Sequence, residues 1–513
     1  MANISPANWN YNTAAHLLRR AGFGHNGSLV RGKSQASQVA QLANLTPDKA
    51  VDRVLSFGVS KSAGPGTLRS DDDSDFNKLT VWWINAMRNS GTPLREKMVL
   101  FLHGHFATGR SKVNTTLYHA RQNALFRAYA TGDFRDLVMQ ITIDPAMLWW
   151  LDGQLNEVGR PNENYARELQ ELFTLGVFDF NGHRNYAQSD VVQAARILTG
   201  WGVNEDYKKR KIAAYFSPGR HDTGAKTLFG PVTGETDAQN LANRFSVQSN
   251  DPMAPNYSAP QTEYQILVAK IFDHIDTEGR PTAARFMARK LWKFFAYDPA
   301  VDAGTSRADL GLIDALADEF KNTPDLKSKV NNYSLKSLLR AMFLREEFYA
   351  DVTRTVKGPV EYVVGSVKML HGKLDSSELT YIGDRLSAMG QTLFNPPNVK
   401  GWDGNQAWVT SQTLLKRFEF ARDIANSDAS RNSHLGWNLK GYVDPTATTR
   451  QAVVDRFLTL LGPMQIDPDT NDALVSWLGA TDADLQLTDP NYLDTYVRGL
   501  VNLILTLPQY HVH

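Results

Sequence analysis

Along most of this chain apolar residues return every three to four positions, and that habit restricts the fold more than any other feature. The spacing predicts helices over 16–20 and 47–57, through Val81, Trp82, Ile84 and Met87, and from Pro93 behind a Thr92 cap. Others are predicted near 117–130, 133–141, 163–175, 188–199, 236–245, 262–274, 281–296, 308–320, 334–349, 358–370, 377–389 and 410–426. Residues 58–76, rich in Ser, Gly and Asp, read as a surface loop. Runs with strand character are few. The best, Lys211 to Phe216, is read as a hairpin partner for Lys226 to Phe229 across Ser217-Pro218-Gly219. Beyond Asn426 the composition shifts: a loop over 427–447 precedes helices near 448–461, 471–478 and 490–506. The expectation is a mainly α protein, with one multi-helix domain over 1–426, a small β-hairpin element, and a helical C-terminal part over 427–513.

The chain has 513 residues, 42% hydrophobic and 21% charged, a globular composition whose length alone suggests about three domains. A formal net charge of +1 supplies no field for nucleic acid or an anionic membrane, so neither is expected as a partner. The cluster Lys208-Lys209-Arg210-Lys211 reads as a solvated loop or hairpin end. No apolar run approaches the length of a membrane span. Cysteine is absent, which rules out disulfides, thiolate catalysis and cysteine-ligated zinc. Met1 to Asn12 is polar and shows no signal peptide. A cysteine-free chain suits an oxidising space, and an extracytoplasmic setting is favoured over the cytoplasm.

Chemistry concentrates in Asn162 to Gly176. Asn162 can cap a helix start and Gly176 suits the left-handed residue that closes one. At about 100° per residue, Tyr165, Leu169, Leu172 and Phe173 share one inward face. Asn164, Glu168 and Glu171 border it, while Glu163 and Arg167 turn towards solvent. Glu168 stands nearest the apolar border, so burial should raise its pKa and suit it to acid or base work. A ladder of ion pairs from Arg167 to Glu163 and Glu171 explains much of the same pattern.

Two further constellations stand beside it. His103 and His105 diverge by about 200° on a helix, so they reach one ion only if the helix stops at Gly104. The alternative is a pair of hydrogen-bonded, partly buried imidazoles. His221-Asp222 lies in a turn-rich segment, as a binding pair or as an Asx turn. Trp201 sits between glycines, Trp402 ends the proline-stiffened loop Phe394 to Trp402 and Trp408 follows it, so each can offer a flat indole face to a sugar ring.

Together these segments resemble one bacterial family, the domain of unknown function eighteen hundred. The likeness rests on His16 through Gly24, Arg95 through Met98, Leu102 through Phe106, Glu163 through Gly176, Asp190 with Ala195-Arg196 and Gly200-Trp201, His221-Asp222, and Pro396 through Trp402. The matches keep family order from residue 16 to Arg417. One departure is Leu102, where the family often has Trp, and the tail beyond Asn426 carries no matching motif. Such coverage favours one large domain over several. Members are often exported and encoded beside a sulfatase-like family, which implies extracellular polymer metabolism and a possible envelope partner protein. The resemblance singles out His103, His105, Glu163, Arg167, Glu168, Glu171, Arg196, Trp201, His221 and Asp222 as motif positions.

Three readings follow. The leading expectation is a hydrolase of glycosidic bonds, with Glu168 or Glu171 facing Asp222 and Trp201, Trp402 and Trp408 holding the carbohydrate. Its substrate-binding set also includes His103, His105, Glu163, Arg167, Arg196 and His221. The second is a non-catalytic assembly protein whose polar residues stitch helices together. The third is a metal-dependent hydrolase using His103, His105, His221 and Asp222. No nucleophile elbow, phosphate loop or dinucleotide fingerprint is present, and no cofactor or stoichiometric metal is expected.

Overall fold

A computed structural model describes residues 2–25, 37–56, 64–66, 68, 73–206, 211–229, 243–322, 333–350, 355–370, 374–426, 439–462 and 464–512. The protein is mainly α, as the periodicity predicts. Helix Pro359–Leu370 is apolar nearly all round and almost wholly buried, with Asp73–Asn89 and Ser376–Ala388 packed on it. Amphipathic Thr282–Phe295 turns Ala284, Met287, Ala288 and Leu291 inward against Leu310–Asn322 and Glu263–Asp273.

One hydrophobic core runs from Ile4 to Tyr510. The C-terminal helices share it. Arg498–Thr506 lies along Ser411–Ala425, and buried Tyr510 hydrogen-bonds Ser366 through its hydroxyl at 2.8 Å.

The strands pair differently from the hairpin expected. Strand β1 (Trp201–Asp206) runs antiparallel to β2 (Lys211–Phe216), placing Trp201 opposite Phe216. Strand β3 (Lys226–Leu228) pairs instead with β4 (Phe245–Val247). The reason is local: Pro218–Arg220 winds into a 3-10 turn, which leads the chain away from β2 instead of folding it back. The helix expected near 236–245 lies mostly outside the described residues, and its end is strand β4. The basic cluster lies largely outside them as well.

Two segments that build the site need closer description. Pro93–His105 is one continuous helix that passes through Gly104 without stopping. The stretch expected as a single α-helix over 163–175 is α-helical only at Asn164–Glu168 and continues as a π-helix over Leu169–Thr174. Gly176 closes it at φ +80°, as its left-handed role requires. No described helix is long and apolar enough to cross a membrane.

Candidate functional site

A π-helical turn is wider than an α-turn, shifts its hydrogen bonds by one residue, and is frequent at functional positions. Here the Leu175 and Gly176 N–H groups both donate to the Gln170 carbonyl, at 2.9 and 3.1 Å. The carbonyls of Leu172 and Phe173 are taken by side chains. Lys290, from Thr282–Phe295, donates its Nζ to the Leu172 oxygen at 3.1 Å, and His105 Nε2 lies 3.1 Å from the Phe173 oxygen. One turn thus holds an amine and an imidazole from two other helices, and carries Glu171 itself.

All three residues line a cavity of about 890 Å³. Its walls include Phe101, Phe286, Phe294, Trp402 and Trp408, so much of the surface is aromatic. Most charges on the wall are answered by a partner. Arg285 pairs with Asp276 at 2.6 Å, Arg289 with Asp302 at 2.6 Å, Lys293 with Asp298 at 2.5 Å, and Lys400 with Asp403 at 2.7 Å. Glu361 pairs with Lys97, and Asp179 accepts from Thr277 and from the Asn181 and His183 N–H groups. Among the described residues, Glu171 and Lys290 are the lining charges with no ion-pair partner. Glu171 accepts one hydrogen bond, from the Tyr186 hydroxyl at 2.8 Å.

Three groups around the turn are shifted from their ordinary protonation. Burial, reinforced by Glu171 one turn away, pushes the Glu168 carboxyl up to about 7. The sequence expectation for Glu168 rested on burial alone. Burial likewise holds His105 well below the usual imidazole range, with repulsion from Lys290 adding to it. His105 is therefore neutral and donates Nε2–H to the Phe173 carbonyl, and its buried Nδ1 has no hydrogen-bond partner among the described residues. Burial brings Lys290 down to about 7, helped by the positive charges of Lys400 and Lys293.

The tryptophan wall is set by backbone contact. Gly401 adopts φ +84°, and a Cβ there would come within 2.2 Å of the Gly104 oxygen. Glycine at 401 lets the loop lie directly on the Pro93–His105 helix, with the Trp402 ring seated beside Gly104. His103 anchors the start of that loop by accepting the Phe394 N–H at 3.1 Å. Burial, with repulsion from His119, lowers its pKa to about 3, which keeps the ring neutral and able to accept. Trp408, at the end of the Asn405–Trp408 3-10 turn, completes this wall.

The cavity therefore gathers His105, Glu171, Trp402 and Trp408, and not the rest of the expected set. Glu168 stands behind the turn and is not part of the lining. His103 points into the loop, away from His105, because the helix does not end at Gly104. Glu163 and Arg167 form a half-exposed pair at 3.0 Å, shared with Gln188. Asp222 does not face Glu171 across a cleft. Its carboxylate receives Arg196 Nε and Nη2 at 2.7 and 3.1 Å and the Gly224 N–H at 2.9 Å. Burial alone would raise the Asp222 pKa, but these donors outweigh it and hold the group below its usual range. His221 is buried, with Nδ1 2.9 Å from the Thr199 oxygen and Nε2 3.3 Å from Glu263 Oε2. Lys226 reaches the same Glu263 oxygen at 2.7 Å. Trp201 packs edge-on against Phe216 and Tyr264, because strand pairing supplies the cover its glycine neighbours lack. Among the described residues no three His, Asp or Glu side chains are grouped to hold a metal ion.

Sequence reasoning did not find Lys290 or Tyr186. On its helix Lys290 belongs to a basic face with Arg285, Arg289 and Lys293, which reads as solvated surface. Nothing in one sequence separates the lysine without a carboxylate from those that have one.

A family model described as "Protein of unknown function (DUF1800)" matches residues 16–512, so the match continues through the tail in which no motif was recognised. No curated protein and no solved structure matches the chain. The chain belongs to this family.

Proposed function

We propose that this member of the family is a hydrolase acting on a carbohydrate, with Glu171 as its acid–base residue and the Trp402–Trp408 wall as its sugar platform. The observation that carries the reading is a carboxylate with no counter-ion among the described residues, in a cavity of about 890 Å³ walled by two indoles. Pockets of this size, apolar with a few placed polar groups, take small ligands or a few sugar units. An ionised Glu171 can accept a proton from an attacking water. Glu168, one helical turn away, has its own carboxyl pushed up to about 7 by burial and by the charge of Glu171. Glu171 thus takes the place that the sequence reading gave to a glutamate facing Asp222. An extracytoplasmic setting is part of the same proposal and accords with a cysteine-free chain.

The non-catalytic reading keeps a narrower territory. The close pairing of Arg196 with Asp222 and of buried Lys226 with Glu263 supports a purely architectural role for those residues. The cavity reading is tested by soaking crystals with oligosaccharides. Sugar rings stacked on Trp402 within reach of Glu171 are expected. Rings bound only at the Asp222 side, or no binding at saturating concentration, would contradict it.

A further inference from the structure

Lys290 is chemically unlike the other lysines on the cavity wall. Lys293 and Lys400 each have a carboxylate, Asp298 and Asp403, whereas no acidic group lies within ion-pair distance of Lys290 among the described residues. Its amine is fixed from two sides, donating to the Leu172 carbonyl at 3.1 Å and lying 5.1 Å from the centre of the Phe286 ring. The helix that bears it also presents Arg289 and Lys293, the facing loop presents Lys400, the π-turn presents Glu171, and the neighbouring helix presents His105. Asp302, Asp298 and Asp403 on the same wall are engaged by Arg289, Lys293 and Lys400, and the amine, already drawn from water, feels chiefly the positive charges of Lys400 and Lys293. Such surroundings favour the neutral form of lysine, which is the nucleophilic one, and its titration near neutrality agrees.

We propose that Lys290 is a nucleophilic amine that captures an aldehyde or ketone carbonyl in the cavity as an imine. The Nζ lone pair attacks the carbonyl carbon, a C–N bond forms, and the C=O π pair moves to oxygen. Nitrogen loses a proton and oxygen gains one, giving a carbinolamine. The nitrogen lone pair then forms C=N as the oxygen, protonated a second time, leaves as water, and the resulting iminium nitrogen releases its remaining proton to give the imine. The sum is amine plus carbonyl to imine plus water, with no oxidant or reductant. The Leu172 carbonyl holds the amine in place, and Glu171, on the adjacent residue, is the cavity carboxylate suited to carry the proton between nitrogen and oxygen. The ligand class is a small aldehyde or ketone, of which the open-chain form of a reducing sugar is one. The proposal shares the cavity with the hydrolase reading but does not rest on it.

Glycolaldehyde with cyanoborohydride, which reduces the imine to a stable secondary amine, tests this on the full chain at pH 7. Peptide mapping of the unaltered protein is expected to find Lys290 modified at least about 10-fold faster than surface lysines, with a rate that rises to half its maximum near pH 7. Lys290→Arg should remove the fast adduct and leave the slow labelling of other lysines unchanged. Labelling of Lys290 no faster than the surface lysines, or a rate still climbing in proportion to base beyond pH 9, would overturn the proposal. Mapping of the unaltered chain decides the matter even if Lys290→Arg does not fold. Hydrolysis of oligosaccharides is a separate readout, so loss of one activity leaves the other reading standing.

Discussion

Around Glu263 the charges are answered. Lys226 lies 2.7 Å and His221 3.3 Å from one of its oxygens, all three side chains are buried, and Arg196 closes on Asp222 nearby. Around Glu171 they are not: one tyrosine hydroxyl donates to it, and the amine and imidazole beside it are tied to backbone carbonyls of the same turn. Both regions contain family-motif residues of the same chemical types. The difference teaches that a polar motif residue can serve architecture or chemistry, and that the state of its partners separates the two. A satisfied network fixes helices and strands in register. An unsatisfied group beside a cavity is available to a ligand.

The largest effect that would sharpen this contrast lies in the satisfied region. Glu263→Ala leaves Lys226 buried without its carboxylate, and breaking such a pair costs about 3–5 kcal/mol. Urea denaturation should show that loss. A change under about 1 kcal/mol would mean that the pair is not architectural.

In the cavity, Trp402→Ala should weaken oligosaccharide binding about 10-fold, the equivalent of about 1.4 kcal/mol, by removing one stacking face. Calorimetric titration measures it. Unchanged affinity would move the platform to Trp408 or out of the cavity.

The two regions should also respond oppositely to pH. The folded-state pKa of Glu168 is raised, so the folded chain holds a proton that the unfolded chain releases. Its contribution is most favourable below the ordinary value of 4.5 and is lost as pH rises from there to about 7. Asp222 has a lowered pKa, so its contribution is complete above the ordinary 3.8 and is lost as pH falls through the folded-state value. Glu168→Gln should therefore flatten the stability profile between pH 5 and 7, and Asp222→Asn should flatten it only at the acid end. Thermal midpoints across pH check both, and identical profiles would contradict the assignment. The smallest effect belongs to the surface pair: Glu163→Ala should cost no more than about 0.5 kcal/mol.

Helical periodicity made the fold class legible, because an inward face repeats whatever the tertiary contacts are. It also placed Glu168 at the apolar border and His105 on the packed face. Strand pairing was not legible: β2 is as compatible with β1 as with β3, and the 3-10 turn that decides between them spans only three residues, Pro218–Arg220, too few for a periodic pattern. The π-turn was hidden for a similar reason. Its residues fit an α-helix equally well until Lys290 and His105 arrive from distant helices to take the Leu172 and Phe173 carbonyls. Asp222 looked catalytic because its partner, Arg196, lies 26 residues away in sequence.

The central claim is that chemistry resides at the π-turn and not at the Arg196–Asp222 network. Oligosaccharide hydrolysis per folded molecule, compared between Glu171→Gln and Asp222→Asn, tests it most directly. Glu171→Gln is expected to lose on the order of 100-fold or more in activity while its thermal midpoint barely moves. Asp222→Asn is expected to be less stable yet active in proportion to the amount folded. Full activity in Glu171→Gln, together with an inactive but stably folded Asp222→Asn, would contradict it.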